Sequence, residues 1–256
     1  MRKRIVLGIA LLCAAVLIGL PSYFILHKTP TCMDGLMNGD ESGVDCGGSC
    51  QRLCTLESLP LVIKGDPRIL TIAPNTFEVA AVIDNPNPTG EIRRAKYTVS
   101  VYEATSLVPV KTFSNTAYIP AGQTFVIFEG PFTLEEGVTP LRATLEWDRA
   151  SLNWQKPLAA TPKIDVGQSL FSRMETSPRL EVTVTNTTLA PVANLDLTAL
   201  IYDAGGTIFA ASKTLVPALG AGQQTQAIFT WPRPLPMAPV EVEVVTRVFP
   251  DSSYVR

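Results

Sequence analysis

Between residues 76 and 248 the chain writes one pattern twice. The runs "TFEVAAVIDNPNP" (76–88), "AKYTVSVYEA" (95–104), "QTFVIFEGPF" (123–132) and "LRATLEW" (141–147) alternate apolar and polar residues. They are punctuated by Pro, Gly and Asn, the signature of strands separated by turns. The same order returns as "RLEVTVTNTT" (179–188), "LDLTALIYDAGG" (195–206), "QQTQAIFTWP" (223–232) and "VEVEVVTRV" (240–248). Asn85 aligns with Asn186, Tyr102 with Tyr202, "AGQ" at 121–123 with "AGQ" at 221–223, Phe128 with Phe229 and Pro131 with Pro232, a shift of about 100 residues.

That period is too long for a solenoid repeat, whose units run to roughly 50 residues, and it suits one sandwich of about 100 residues per copy. The expected fold is all-β, with two tandem immunoglobulin-like β-sandwiches at 56–156 and 157–256, joined through "QKPLAAT" at 155–161. In "YDAGG" the adjacent Gly205 and Gly206 are expected to supply positive φ for a tight turn. In "NPNPTG" Pro86 and Pro88 cannot donate to a ladder and mark the end of a strand.

Residues 5–26, "IVLGIALLCAAVLIGLPSYFIL", carry no charge. As a helix they would reach roughly 33 Å, enough for a hydrocarbon core of about 30 Å. Arg2, Lys3 and Arg4 precede this run, and the positive-inside rule then places the N-terminus in the cytoplasm and everything after residue 27 outside it. A cleaved signal peptide calls for a shorter core and a small-residue exit, which "LIGLPSYF" does not offer. A lipoprotein signal at Cys13 would need a small residue where Leu12 stands. The expectation is an uncleaved signal anchor over 1–27, with Pro21 kinking or ending the helix. Of the 21 basic residues three precede the apolar run, so beyond residue 27 the balance is 18 basic to 23 acidic. Such a surface has no electrostatic attraction for nucleic acid.

Outside the membrane run stand four cysteines, Cys32, Cys46, Cys50 and Cys54, while Cys13 within it reads as a small hydrophobe. An even set on the oxidising side forms two disulfides in one of three connectivities. Residues 31–54 hold too few large apolar side chains for a core of their own, so the staples of the 28–55 segment are structurally required. The acidic residues invite a calcium reading. Asp34, Asn38, Asp40, Ser42 and Asp45 fall at positions 1, 5, 7, 9 and 12 of a loop with Gly39 sixth, partly following the EF-hand spacing. Leu36 at the third position and Asp rather than Glu at the last depart from it. The competing reading is a set of turns whose carboxylates cap backbone N–H groups. Zinc on four thiolates lacks the paired short spacings of structural sites. No other cofactor is expected.

"CMDGLMNGDESGVDCGGSCQRLC" resembles a C-x-D-G-x-x-N-G-x-E-x-G-x-D-C-G-G-x-C cysteine-rich segment of secreted and cell-surface proteins, which often sits beside β-sandwich domains. Here three residues precede Cys54 where that segment usually has two. The resemblance implies an extracellular cysteine-rich module and supplies no known activity. "NTTLAPVANLDLTALIYDAGGTI" is similar to FxLYD-type and late-embryogenesis-abundant-type β-sandwich domains, with Ala199 and Ile201 in place of the Phe and Leu of the motif. That likeness implies the fold alone.

No catalytic constellation emerges, so the expectation is a protein that is not an enzyme. The single histidine, His27, stands at the membrane edge, which removes Ser-His-Asp, Cys-His and HExxH arrangements. Glu135 and Glu136 read as solvated turn residues. Trp147 and Trp154 are the candidates for an exposed aromatic platform, against the plainer reading that they pack inside. "FTWPRPLPMAP" (229–239) reads either as an extended partner-binding edge or as a loop between sheets. Two functions remain. One is a single-pass, membrane-tethered extracytoplasmic binding or structural protein, whose partner is a protein or a surface glycan. The other is an accessory subunit of a membrane-associated envelope-assembly or export complex, with Gly8, Ala15 and Gly19 making close helix contacts.

Overall fold

The computed structural model describes Gly8, Cys13 and residues 15–22, 30–103, 106–158 and 160–250. They fall into two compact units, Met1–Gln51 and Arg52–Arg256. In the first, residues 15–22 are helical, and the helix runs through Pro21. No helix among the described residues is long and apolar enough to cross a membrane. Much of the predicted span over 5–26, with its basic flank and His27, lies outside the described residues.

The second unit is built from strands. The first copy contains β1 (Val62–Ile63), β2 (Arg68–Ala73), β3 (Thr76–Asp84), β4 (Ile92–Tyr102), β5 (Lys111–Ile119), β6 (Thr124–Thr133) and β7 (Arg142–Trp147). The second contains β8 (Ile164–Ser172), β9 (Arg179–Asn186), β10 (Val192–Tyr202), β11 (Ile208–Leu219), β12 (Gln224–Thr230) and β13 (Glu241–Val248). Every pairing is antiparallel. In the first copy β3 lies between β6 and the successive strands β2 and β1, and β4 lies between β5 and β7. The second copy repeats this, with β9 between β12 and β8 and β10 between β11 and β13.

Period-two alternation gives each copy its own core between two sheets. Val79, Ile83, Val99, Phe125 and Leu145 meet in the first, and Leu180, Val182, Leu195, Leu197 and Phe229 in the second. Each large apolar side chain so buried contributes about 1.5–3 kcal/mol. A third buried cluster joins the copies. Leu70, Ala80, Val82 and Val126 of the first pack against Leu200, Ile208, Ala211 and Val245 of the second. Those residues lie on the outer face of the β3 sheet and the outer face of the β10 sheet, so the four sheets share three apolar layers. The segment 155–161, expected as a joint, begins pinned: Gln155 makes β-bridges to both Arg52 and Glu91.

The same polar corner closes each copy. Asn85 donates to the carbonyls of Gly90 and Pro120 at 2.8 and 2.7 Å and accepts from Asn87 N–H at 3.0 Å. Asn186 donates to Ala190, Leu219 and Gly220 and accepts from Thr188 N–H at 3.0 Å. Both asparagines are buried. The register corrects one sequence alignment. Ala80 stands opposite Phe128 and Glu181 opposite Ile228, so Ile228, and not Phe229, is the counterpart of Phe128. Only Gly206 of the Gly205–Gly206 pair has positive φ, because Asp203 Oδ1 accepts from the N–H groups of Gly205 and Thr207 and holds the turn.

Candidate functional site: an acidic loop and a charged cleft

All four cysteines beyond residue 27 are disulfide-bonded, Cys32 to Cys50 and Cys46 to Cys54. Cys13 is a free, exposed thiol. Around the first bridge the chain makes turns with Gly35, Gly39, Gly47, Gly48 and Asp45 at positive φ. A Cβ on Gly48 would collide with the Asp40 carbonyl, so this close approach requires glycine.

The carboxylates of the loop serve its backbone. Asp34 accepts from Thr31 and Leu36 N–H and from Asn38 Nδ2 at 3.0–3.2 Å. Asp45 accepts from the N–H groups of Asp34 and Gly35 at 2.9 and 3.0 Å, and Glu41 from that of Asn38 at 3.2 Å. Asp40 accepts from the Ser49 hydroxyl at 2.8 Å. The Asn38 amide, followed by the Leu36 N–H, holds the Asp34 carboxyl below its ordinary value. Among the described residues Asp34, Asp40 and Asp45 do not form a group with oxygens mutually within 4.8 Å. The group that does gather is Cys32, Glu41 and Cys50, whose two sulfurs are bonded to each other. As it stands, the loop is arranged for turn capping; Asn38 Oδ1 is buried with no partner.

The larger chemical feature lies in the second unit and was not foreseen from the sequence. A cleft of about 490 Å³ opens between the two copies. On the first copy's side it is lined by Glu78 of β3 and Glu129 of β6. Glu129 is 8% exposed, and its Oε1 accepts from Tyr97 Oη at 2.5 Å and from Asn115 Nδ2 at 2.7 Å. Glu78 is half-buried, and desolvation pushes its carboxyl up to about 7. On the second copy's side stand Lys213 of β11 and Arg247 of β13. Both contact Asp196, at 3.4 and 2.7 Å. Asp196 and Arg247 are direct cross-strand partners, and the Arg247 guanidinium also lies over the rings of Phe249 and Phe125 at 4.8 and 5.6 Å. Asp196 Oδ1 and Arg247 Nε are buried without partners.

The aromatic candidates turn inward. Trp154 is 3% exposed within the first core. Trp147 packs edge-on against Tyr97 at 5.6 Å between ring centres. The proline-rich stretch after β12 is a loop; Trp231 within it is buried and donates from Nε1 to the Ala211 carbonyl at 2.9 Å. With β2 it borders a second cavity of about 560 Å³. Sequence reasoning missed the cleft because its charged residues sit inside ordinary strands. Glu78, Glu129, Asp196 and Arg247 read in the sequence as ordinary polar positions of those strands. No family model matches the chain, and no curated protein matches it.

Proposed function

We propose that this chain is a membrane-tethered extracytoplasmic binding or structural protein with no catalytic role, in which two immunoglobulin-like β-sandwiches are presented beyond a stapled segment. The observation that carries this reading is the oxidised state of every cysteine beyond residue 27, since disulfides persist where the environment is oxidising. The apolar residues of the N-terminal helix give it support: Val16, Leu17, Ile18 and Leu20 are exposed, as lipid-facing side chains are. The repeated pairing of strands, in a four-stranded and a three-stranded sheet in the first copy and two three-stranded sheets in the second, supports two sandwiches of the immunoglobulin kind. The domains under this reading are the anchor at 1–27, the stapled segment at 28–55 and the sandwiches at 56–156 and 157–256.

The stacking of sheet on sheet favours a stiff presenting element over two modules on a flexible string. A protein or glycan partner is the target of such an element. The test is the fate of the full chain in expressing cells. It should remain in membranes after alkaline carbonate washing, retain a peptide containing Met1, and yield its bulk to protease added outside intact spheroplasts. A carbonate-soluble chain, or a mature start between residues 20 and 32, would overturn the tether.

A further inference from the structure

The cleft between the copies has walls of opposite charge that do not neutralise each other. Glu78 and Glu129 come from the first copy, Lys213 and Arg247 from the second, and no ion pair joins the two sets among the described residues. On the basic wall two cations share the single carboxylate of Asp196, which leaves one positive charge uncompensated. On the acidic wall Glu129 holds two neutral donors through one oxygen, and Glu78 has no ion-pair partner. A buried or half-buried charge without a counter-charge is costly, so each wall gains from a ligand group of the opposite sign.

We propose that this cleft binds a zwitterionic small molecule of amino-acid to dipeptide size, its ammonium against Glu78 and Glu129 and its carboxylate against Lys213 and Arg247. The volume of about 490 Å³ lies within the range of roughly 300–1,000 Å³ typical of small-molecule sites. A metal ion does not answer the same need: the acidic wall supplies two carboxylates, and no group of three ligating side chains with atoms within 4.8 Å occurs here among the described residues. A ligand with one charge satisfies one wall and leaves the other as it was. Because the walls belong to different copies, the ligand ties the sandwiches together and stabilises the stacked form by mass action. The inference deepens the reading of a binding module by naming the ligand chemistry, and it is tested separately from the tether.

The ammonium favours the ionised form of Glu78, so binding strengthens as the pH rises from 6 to 8 through its value of about 7. The other charged groups lining the cleft around Glu78 are Glu129 on β6, Lys213 on β11 and Arg247 on β13, beside the phenols of Tyr97 and Tyr118. None has an ordinary value in that interval.

The experiment is calorimetric titration of the full chain in detergent with β-alanine, glycylglycine and 6-aminohexanoate, beside hexylamine and hexanoate as single-charge controls. At least one zwitterion should bind with Kd below about 1 mM, and about tenfold tighter than either control. Glu78→Gln, at a half-buried site, and Lys213→Gln, at an exposed one, should each weaken that binding by about fivefold while the thermal melt remains cooperative. Failure of all three zwitterions, equal binding of hexylamine or hexanoate, or undiminished binding to the Glu78→Gln/Lys213→Gln double variant would overturn the proposal. Any of these leaves the membrane-fraction result standing, and a soluble chain with an intact binding isotherm would instead remove the tether alone.

Discussion

β3 and β9 occupy the same place in their sandwiches, as do β4 and β10, yet each pair is buried in opposite ways. β9 alternates strictly: Leu180, Val182 and Val184 point into the core while Glu181, Thr183 and Thr185 are half-exposed. β3 buries Val79, Ala81 and Ile83 in its core and also Ala80 and Val82 against the second copy. For the inner strands of the other sheets the roles reverse. β4 turns Lys96, Thr98 and Ser100 toward the outside, whereas β10 buries Asp196, Thr198 and Leu200. The duplication therefore did not produce a symmetric pair, in which both copies would use the same face. It produced a head-to-tail contact in which each copy uses a different sheet. Very few positions distinguish the surfaces: alanine and valine in β3 against glutamate and threonine in β9, leucine in β10 against serine in β4.

The comparison can be broken most severely at Leu200, which is fully buried in the layer between the copies. Leu200→Ala should cost about 2–5 kcal/mol, as other large-to-small changes in packed interiors do. Its counterpart Ser100→Ala, on an open face, should move stability by no more than about 0.5 kcal/mol. Chemical denaturation of both variants gives the two values. Equal small effects would mean that the third layer contributes nothing. One further readout sharpens the point, because a shared layer makes the copies unfold together: Leu200→Ala should shift a single transition or split it in two, whereas copies that do not stabilise one another would already show two transitions before mutation.

Four strands in each copy were legible in the sequence, because β3, β4, β6 and β7 and their counterparts carry alternating apolar residues between turn signals. β5, β8 and β11 were not. β5 is exposed over its first half and buried over its second, β8 buries no residue fully, and β11 contains Pro217. Each of these pairs on one side only, as β6, β7, β12 and β13 also do, but lacks their regular alternation; a strand so placed tolerates proline and can carry a weak apolar signal. The contact between the copies was legible in principle. Aligned on Asn85 and Asn186, Ala80 and Val82 replace Glu181 and Thr183, and an apolar residue at an outward position of a strand asks for a cover. The cleft was not legible, because glutamate and lysine in a strand look like solvated residues until the neighbouring copy is in place. The stapled loop was half-legible: the even cysteine count implied bridges, but the spacing left their pairing open and did not show the carboxylates turned to backbone donors.

The two polar corners offer a test that should come out the same in both copies. Asn85→Ala removes a side chain that satisfies the buried carbonyls of Gly90 and Pro120, and Asn186→Ala one that satisfies the buried carbonyl of Leu219 and the less buried ones of Ala190 and Gly220. Buried acceptors left unpaired cost about 1–3 kcal/mol. Both variants should lose stability in that range, with Asn85→Ala at the upper end because both of its carbonyl acceptors are buried. A large loss at one corner and none at the other would show that the shared asparagine is inherited pattern and not a shared structural requirement.

The smallest expected effect is also the one that separates the two copies by pH. Glu78 sits where its counterpart in β9 is Arg179, and burial raises its carboxyl from 4.5 to about 7 in the folded chain. The folded state therefore holds a proton that the unfolded state has already released, and stability falls as the pH rises wherever the unfolded state binds fewer protons. The loss begins near the unfolded value of about 4.5 and is complete above about 7. Glutamine at this position has no charge to desolvate. Glu78→Gln should thus match the parent chain near pH 4 and exceed it at pH 8, with a higher melting temperature on the alkaline side only. Arg179 already pairs with Glu181 at 2.8 Å in a half-exposed setting, so Arg179→Gln should show no comparable divergence between pH 4 and pH 8. Melting curves of the three chains at the two pH values decide it. Parallel displacement of Glu78→Gln at both pH values would mean that the carboxyl is ionised throughout and that its burial in the cleft is not what sets its charge.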